Sequence, residues 1–197
     1  GLHVLRSMLG MSGVGLMFTA ALLIPLAETT AISFLNPIFA MILAVFVLRE
    51  QVGWIRWSCA GLAFAGALVL LLKTGFQLRP EALVALGAAA LLGGEVVVLK
   101  FLSGREPVPQ ILLLNNLIAL VVMGSLASFV WVWPSAQQWL GLAGVGLSMV
   151  SAQVFFTLAL RLTEASFIAP FSYATLLVSG GLDWLVFSSS PSLRSWF

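Results

Sequence analysis

The chain has 197 residues, 61% of them hydrophobic and only 8% charged, with a net charge of +2 and a mean hydropathy of +1.11. These values exclude a water-soluble domain, whose polar shell needs about a quarter of its residues charged. One cysteine, Cys59, and one histidine, His3, exclude an internal disulfide framework and any zinc or haem constellation, and basic residues scattered singly between apolar runs exclude a nucleic-acid surface.

In a bilayer every backbone polar group must be satisfied within the span, which leaves helices or a closed barrel. Apolar runs of about 20 residues without strict alternation are helices. Taken in chain order between the charges, spans are predicted over Ser7 to Leu26, Thr29 to Leu48, Trp54 to Leu72, Ala82 to Leu99, Val108 to Trp131, Gln138 to Leu160 and Ala165 to Phe187. The charge-free stretch from Pro107 to Leu160 is too long for one crossing, and VWPSAQQ with Pro134 turns it. Asn36-Pro37 and Pro170 mark kinks, because proline removes a helical hydrogen bond.

About seven spans place the loops on alternating sides. Arg6, Arg49, Arg56, Lys100, Arg105 and Arg161 then fall on one side, and Lys73, Arg79 and Arg194 on the other. The excess of cations puts the start of the chain in the cytoplasm. Trp54, Trp57, Trp131, Trp133 and Trp139 cluster at span ends, as interfacial anchors do. The chain begins with Gly1 and shows no signal peptide, so it reads as an excerpt of a longer protein.

A shift of 138 positions aligns the chain with itself without gaps. Phe18 and Thr19 fall on Phe156 and Thr157, Ala21 and Leu22 on Ala159 and Leu160, Ala27 and Ala31 on Ala165 and Ala169, and Arg56 on Arg194. In both copies a span ends, a short polar link follows, and the next span opens with alanines four apart. The spans without partners imply two units of five helices. An odd number of spans per unit turns the units over relative to each other, the inverted repeat used for alternating access. The second copy would then lack its last helix, and the face of the seventh span that would meet it, with Leu176, Leu177 and Leu185, is expected to be less buried than its counterpart in the second span.

Polar residues inside spans carry the functional signal. A carboxylate deep in a span costs about 2.5 to 3.5 kcal/mol on insertion scales, so Glu95 needs a cavity, a proton or a cation. It is either a substrate or proton site, or a structural residue held by Lys100 or by water. Gly93 and Gly94 before it admit a close helix neighbour. Asn115, Asn116, Gln153, Ser172 and Tyr173 are expected at the same depth as Glu95 and form the candidate substrate-binding set with it, unless the amides only tie helices together. Asp183, the single aspartate, excludes a dyad of aspartates and reads as a gate or snorkelling residue at the outer end. Glu28, Glu164 with Arg161, and Arg105 with Glu106 lie in links and read as solvated charges.

The stretch PLAETTAISFLNPIFAMILAVFVLREQVGWIRW, with LSGREPVPQILLLNN and ASFIAPFSYATLLVSGGLDWLVF further on, resembles the EamA-type members of the drug/metabolite transporter superfamily. The resemblance implies an all-α integral membrane protein: about seven transmembrane helices of a ten-helix, five-plus-five inverted-repeat transporter. Residues 1–75 would be the remainder of the first EamA repeat, and residues 76–197 the second repeat lacking its last helix. Family members often carry Gly-Glu after the ninth helix. The first copy has Arg49-Glu50 at the matching place, and the second has Ser188, Ser189 and Ser190.

The expected function is secondary transport, in the direction of export, of small metabolites or drugs across the inner or plasma membrane. The partners are a small-molecule substrate, the lipid bilayer and a proton as coupling ion, with no cofactor, no metal, no nucleic acid and no enzymatic activity. No G-x-x-x-x-G-K-[ST] fingerprint for a nucleotide occurs. The alternatives are a non-transporting membrane subunit and an intramembrane lipid-modifying enzyme, the latter disfavoured by short links and a lone histidine.

Overall fold

The computed structural model describes residues 1–72 and 80–187. Lys73, Arg79, Arg194 and Ser188, Ser189 and Ser190 lie outside the described residues, as do the side chains of Leu176 and Asp183. Among the described residues there is no strand.

The helices are α1 (Leu2–Leu23), α2 (Leu26–Ser33), α3 (Asn36–Leu48), α4 (Trp54–Leu72), α5 (Ala82–Ser103), α6 (Val108–Ala127), α7 (Ala136–Leu162), α8 (Ala165–Ile168) and α9 (Ala174–Phe187), with a 3-10 turn, Ala169–Tyr173, between the last two. Among the described residues five segments are long and apolar enough to cross a membrane: Leu2–Leu23, Glu28–Leu48, Ala82–Ser103, Val108–Ala127 and Ala136–Leu162. The predicted second and seventh spans are each broken. Proline can stand only in the first turn of a helix, so a new segment starts at Asn36-Pro37 and again at Pro170. The 138-residue shift carries the first break, Phe34 and Leu35, onto Ser172 and Tyr173 of the second.

Several boundaries shift by two to five residues from expectation, two of the starts for local reasons. α1 starts at Leu2 instead of Ser7, because nothing between Leu2 and Leu23 breaks a helix. α7 starts at Ala136 instead of Gln138, because Ser135 and Gln138 form a reciprocal capping box.

Helix α5 is the hub. At one end Ala20, Ile24, Ile32, Ala82 and Ala85 pack together, and at the other Ala44, Val97, Leu99, Leu102, Ile111, Leu160 and Ala165. Small residues make this possible. A Cβ on Gly93 would lie 2.7 Å from Phe39 Cβ and 2.9 Å from the Ala40 nitrogen, so α3 presses its backbone on α5 where glycine leaves room. On the other flank a Cβ on Gly13 would lie 2.8 Å from Leu92 Cγ, while Gly94 meets only side-chain tips at 3.7 Å and beyond.

The other side of the bundle is open. Residues 135–152, most of α7, are exposed. In α9, Leu177 is 81% exposed where its counterpart Phe39 is half-buried, but Leu185 and its counterpart Val47 are both exposed, at 70% and 62%.

Candidate functional site

Among the described residues the most buried charge is Arg6, 2% exposed, one turn into α1. Its Nε stands 3.6 Å from Oε1 of Glu95 on α5. Glu95 can reach α1 because Gly10 faces it: a Cβ there would lie 2.9 Å from Oε2. Glu95 therefore answers to Arg6 and not to Lys100. Lys100 donates instead to the carbonyls of Leu160 and Thr163, at 2.6 and 2.7 Å, where the last turn of α7 leaves acceptors unpaired.

Three of the expected site residues come together. Glu95, Asn115 and Gln153 line one cavity of about 240 Å³ with Ser7 and Gly10, and the Ser7 hydroxyl donates to Asn115 Oδ1 at 3.0 Å. Arg6, Glu95, Gln153 and Thr157 line an adjoining cavity of about 230 Å³. Gln153 also borders a third, open cavity of about 440 Å³ with Phe156, Ile168, Phe171 and Ser172, so the charged centre connects to the break in the seventh span.

The other three lie outside the two cavities that Glu95 lines. Asn116 joins the lining of none of these cavities, because one step along α6 turns it about 100° away from Asn115. The Ser172 hydroxyl closes on its own turn at Ala169 O, 2.6 Å away. Tyr173 is buried and donates to Phe34 O at 2.7 Å, with the two rings 5.9 Å apart. Each broken span thus touches the other at its break, and the tyrosine satisfies a carbonyl that the broken helix frees.

Sequence reasoning assigned Arg6 to a link and so left it out of the candidate set. The available signal was the largely apolar context on both sides of it, Leu2, Val4 and Leu5 before and Met8 and Leu9 after Arg6 and Ser7.

Charges near the links at residues 50, 105 and 163 have protein partners, among them Glu164, Arg105 and Glu106, which were expected to be solvated. Glu50 accepts from the backbone nitrogens of Ala165 and Ser166, at 2.8 and 2.9 Å, and so caps the start of the seventh span. The turn that aims it places Arg49 in the left-handed region at φ 56°. Glu164 pairs with Arg56, not with Arg161, and Arg56 also donates to Ser166 Oγ at 2.9 Å. Glu106 pairs with His3 at 2.9 Å, while Arg105 lies over the Phe101 ring at 3.7 Å. Glu28 is 4% exposed, with an unpartnered Oε2. Among the described residues no group of three or more His, Cys, Asp or Glu side chains could hold a metal.

Comparison with known proteins gives the context for this arrangement. The model of the EamA-like transporter family matches residues 2–72 and 79–197. A riboflavin transporter of Vibrio cholerae is 30% identical over 199 residues, covering all of this chain and 66% of that protein. An S-adenosylmethionine uptake transporter of Rickettsia prowazekii is 28% identical over 189 residues, 96% of this chain and 64% of the relative. The pseudopaline exporter CntI of Pseudomonas aeruginosa is 24% identical, with 95% of this chain and 67% of that one covered. The chain thus spans slightly less than two thirds of the first two of these relatives. A crystal structure with 20% identity superposes with a TM-score of 0.77 over 98% of this chain and 82% of the other, which shows a shared fold. A family match over both stretches, together with the apolar helices, identifies a multi-pass membrane protein whose chain belongs to the EamA-like transporter family.

Proposed function

We propose that the chain forms the greater part of a secondary transporter that carries small polar or amphipathic metabolites across the cell membrane by alternating access. The observation that carries this reading is the meeting of two broken spans, Phe34 against Tyr173, beside a cluster of Arg6, Glu95, Asn115 and Gln153 inside an apolar bundle. Discontinuous helices beside a buried polar centre are where secondary transporters hold their solutes, because broken backbone and charge are tolerated only where they line a cavity. The mapping of one break onto the other by the 138-residue shift supports two repeats, residues 1–75 and 76–197, the second without its last helix, in inverted orientation.

The contacts of Glu50 with Ala165 and Ser166 and of Arg56 with Glu164 tie the two repeats at one face of the membrane, and we place that face in the cytoplasm. Alternating access would require these ties to open. Small metabolites fit the relatives, whose names give riboflavin, S-adenosylmethionine and pseudopaline. Export in exchange for a proton is the direction carried over from the family resemblance, although the relatives' names include both uptake and export.

The test is counterflow of labelled metabolites, riboflavin and S-adenosylmethionine among them, in proteoliposomes of the intact protein. Saturable exchange is the expected outcome, and no flux across a broad panel would overturn the reading. Glu95→Gln preserves size and hydrogen bonding, so in a proton-coupled carrier it should keep binding and lose the pH dependence of flux. Unchanged pH dependence would remove Glu95 as the proton carrier.

A further inference from the structure

Arg6 has one charged neighbour and is saturated by none. Its guanidinium carries five N–H donors, yet neither Nε nor Nη1 has a hydrogen-bond partner, and the 3.6 Å to Glu95 Oε1 is too long for a hydrogen bond. Glu95 is lodged against the α1 backbone at Gly10 and neutralises the arginine without satisfying it. Across the 230 Å³ cavity, Gln153 Oε1 is also buried and unpartnered, while the Thr157 hydroxyl is committed to Gln153 O at 2.7 Å. One wall therefore offers unused donors and the other an unused acceptor.

The chemistry of this cavity selects its occupant. A metal cation would meet the guanidinium charge, and an uncharged solute would leave the planar fork of donors without its best acceptor. A phosphate dianion would bring two charges against one arginine with Glu95 beside it. A carboxylate matches the fork in shape and, with Glu95 taking up one proton, replaces its charge beside Arg6 one for one. Beyond the charged end, Gln153 and Phe156 lead into the 440 Å³ cavity with Met149 and Phe171, which suits an apolar body.

We infer that Arg6 is the anion anchor of the transport site and that the solute is a small amphipathic carboxylic acid, with Glu95 and Gln153 accepting from any donor beside its carboxylate. This rests on the transport reading above and names the substrate class of that site.

Binding to the intact protein in lipid nanodiscs tests it with matched pairs differing in the carboxylate: S-adenosylmethionine and its decarboxylated analogue, phenylalanine and phenylalaninamide, benzoate and benzamide. At least one acid should bind about tenfold or more tightly than its partner, the scale of a charge-assisted hydrogen bond. Arg6→Lys keeps the charge but not the fork and should bring that ratio towards one. The double variant Arg6→Gln with Glu95→Gln removes both charges together, so neither is left unpaired in the bundle. It should stay folded by thermal unfolding and lose the acid preference. An acid preference in no pair, or one that persists in the double variant, overturns the anchor. Arg6-dependent binding without flux in proteoliposomes supports the anchor and removes the transport reading, whereas flux with no acid preference does the reverse.

Discussion

Helices α1 and α7 correspond under the 138-residue shift, yet their surroundings are opposite. Along α1, Gly10 and Gly13 face Glu95 and Leu92 of α5, and Ala20 is completely buried. The matching positions on α7 are Ser148, Ser151 and Leu158. All three are exposed, and the two serine hydroxyls bond back to Gly144 O and Leu147 O of their own helix. Burial on these helices is thus a property of the neighbour, not of the repeat. Where a partner presses close, glycine is required; where none does, a serine satisfies itself.

Glycine replacements test that comparison most severely. Gly93→Ala drives a Cβ into the Ala40 backbone and Phe39 Cβ and should cost about 1 to 3 kcal/mol or more, because rigid neighbours cannot yield. Gly144→Ala meets open space on α7 and should be neutral or slightly stabilising. Thermal unfolding in nanodiscs would read both, and equal losses would show that this face of α7 is as tightly covered as α5.

Next in size is the tie between the repeats. Glu50→Gln replaces a carboxylate that accepts from two backbone nitrogens, and we expect a loss of about 1.5 kcal/mol or more, as for hydrogen bonds to a charged group. Glu81→Gln, at an exposed position before α5, serves as the control and should leave the melting temperature unchanged. Equal effects would mean that the cap contributes nothing beyond surface charge.

The pair of Arg56 and Glu164 is more open, with side chains 31% and 45% exposed. A double-mutant cycle on it should give a coupling of only about 0.2 to 1 kcal/mol, since solvent screens the charges. A larger coupling would make it an equal partner of Glu50 in the tie. Smallest of all, Ser148→Ala and Ser151→Ala should each shift stability by less than about 0.5 kcal/mol, and a larger loss in either would reveal a partner for those hydroxyls.

Much of the fold was legible because it depends on local rules. Pro37 and Pro170 predicted where two spans break, since a missing N–H is felt within one turn. Gly93 announced a close neighbour, and α3 is there. The polar set was half legible: depth along a helix can be counted from its ends, which brought Glu95, Asn115 and Gln153 together, but rotation about the axis cannot, which left Asn116 aside.

By itself the sequence determined the solvent, the helices and their breaks, because hydropathy and backbone hydrogen bonding act over one span at a time. Only the tertiary structure decided the pairing of charges: Arg6 with Glu95, Arg56 with Glu164, Lys100 with the end of α7 and Glu50 with the start of α8. Lys100 lies five positions beyond Glu95 in the sequence, and Arg6 lies 89 before it, yet the nearer cation turns to bare carbonyls and the distant one to the carboxylate. Five residues turn a helix by about 500°, which takes Lys100 off the Glu95 face, whereas the glycines of α1 let a separate helix bring Arg6 onto it.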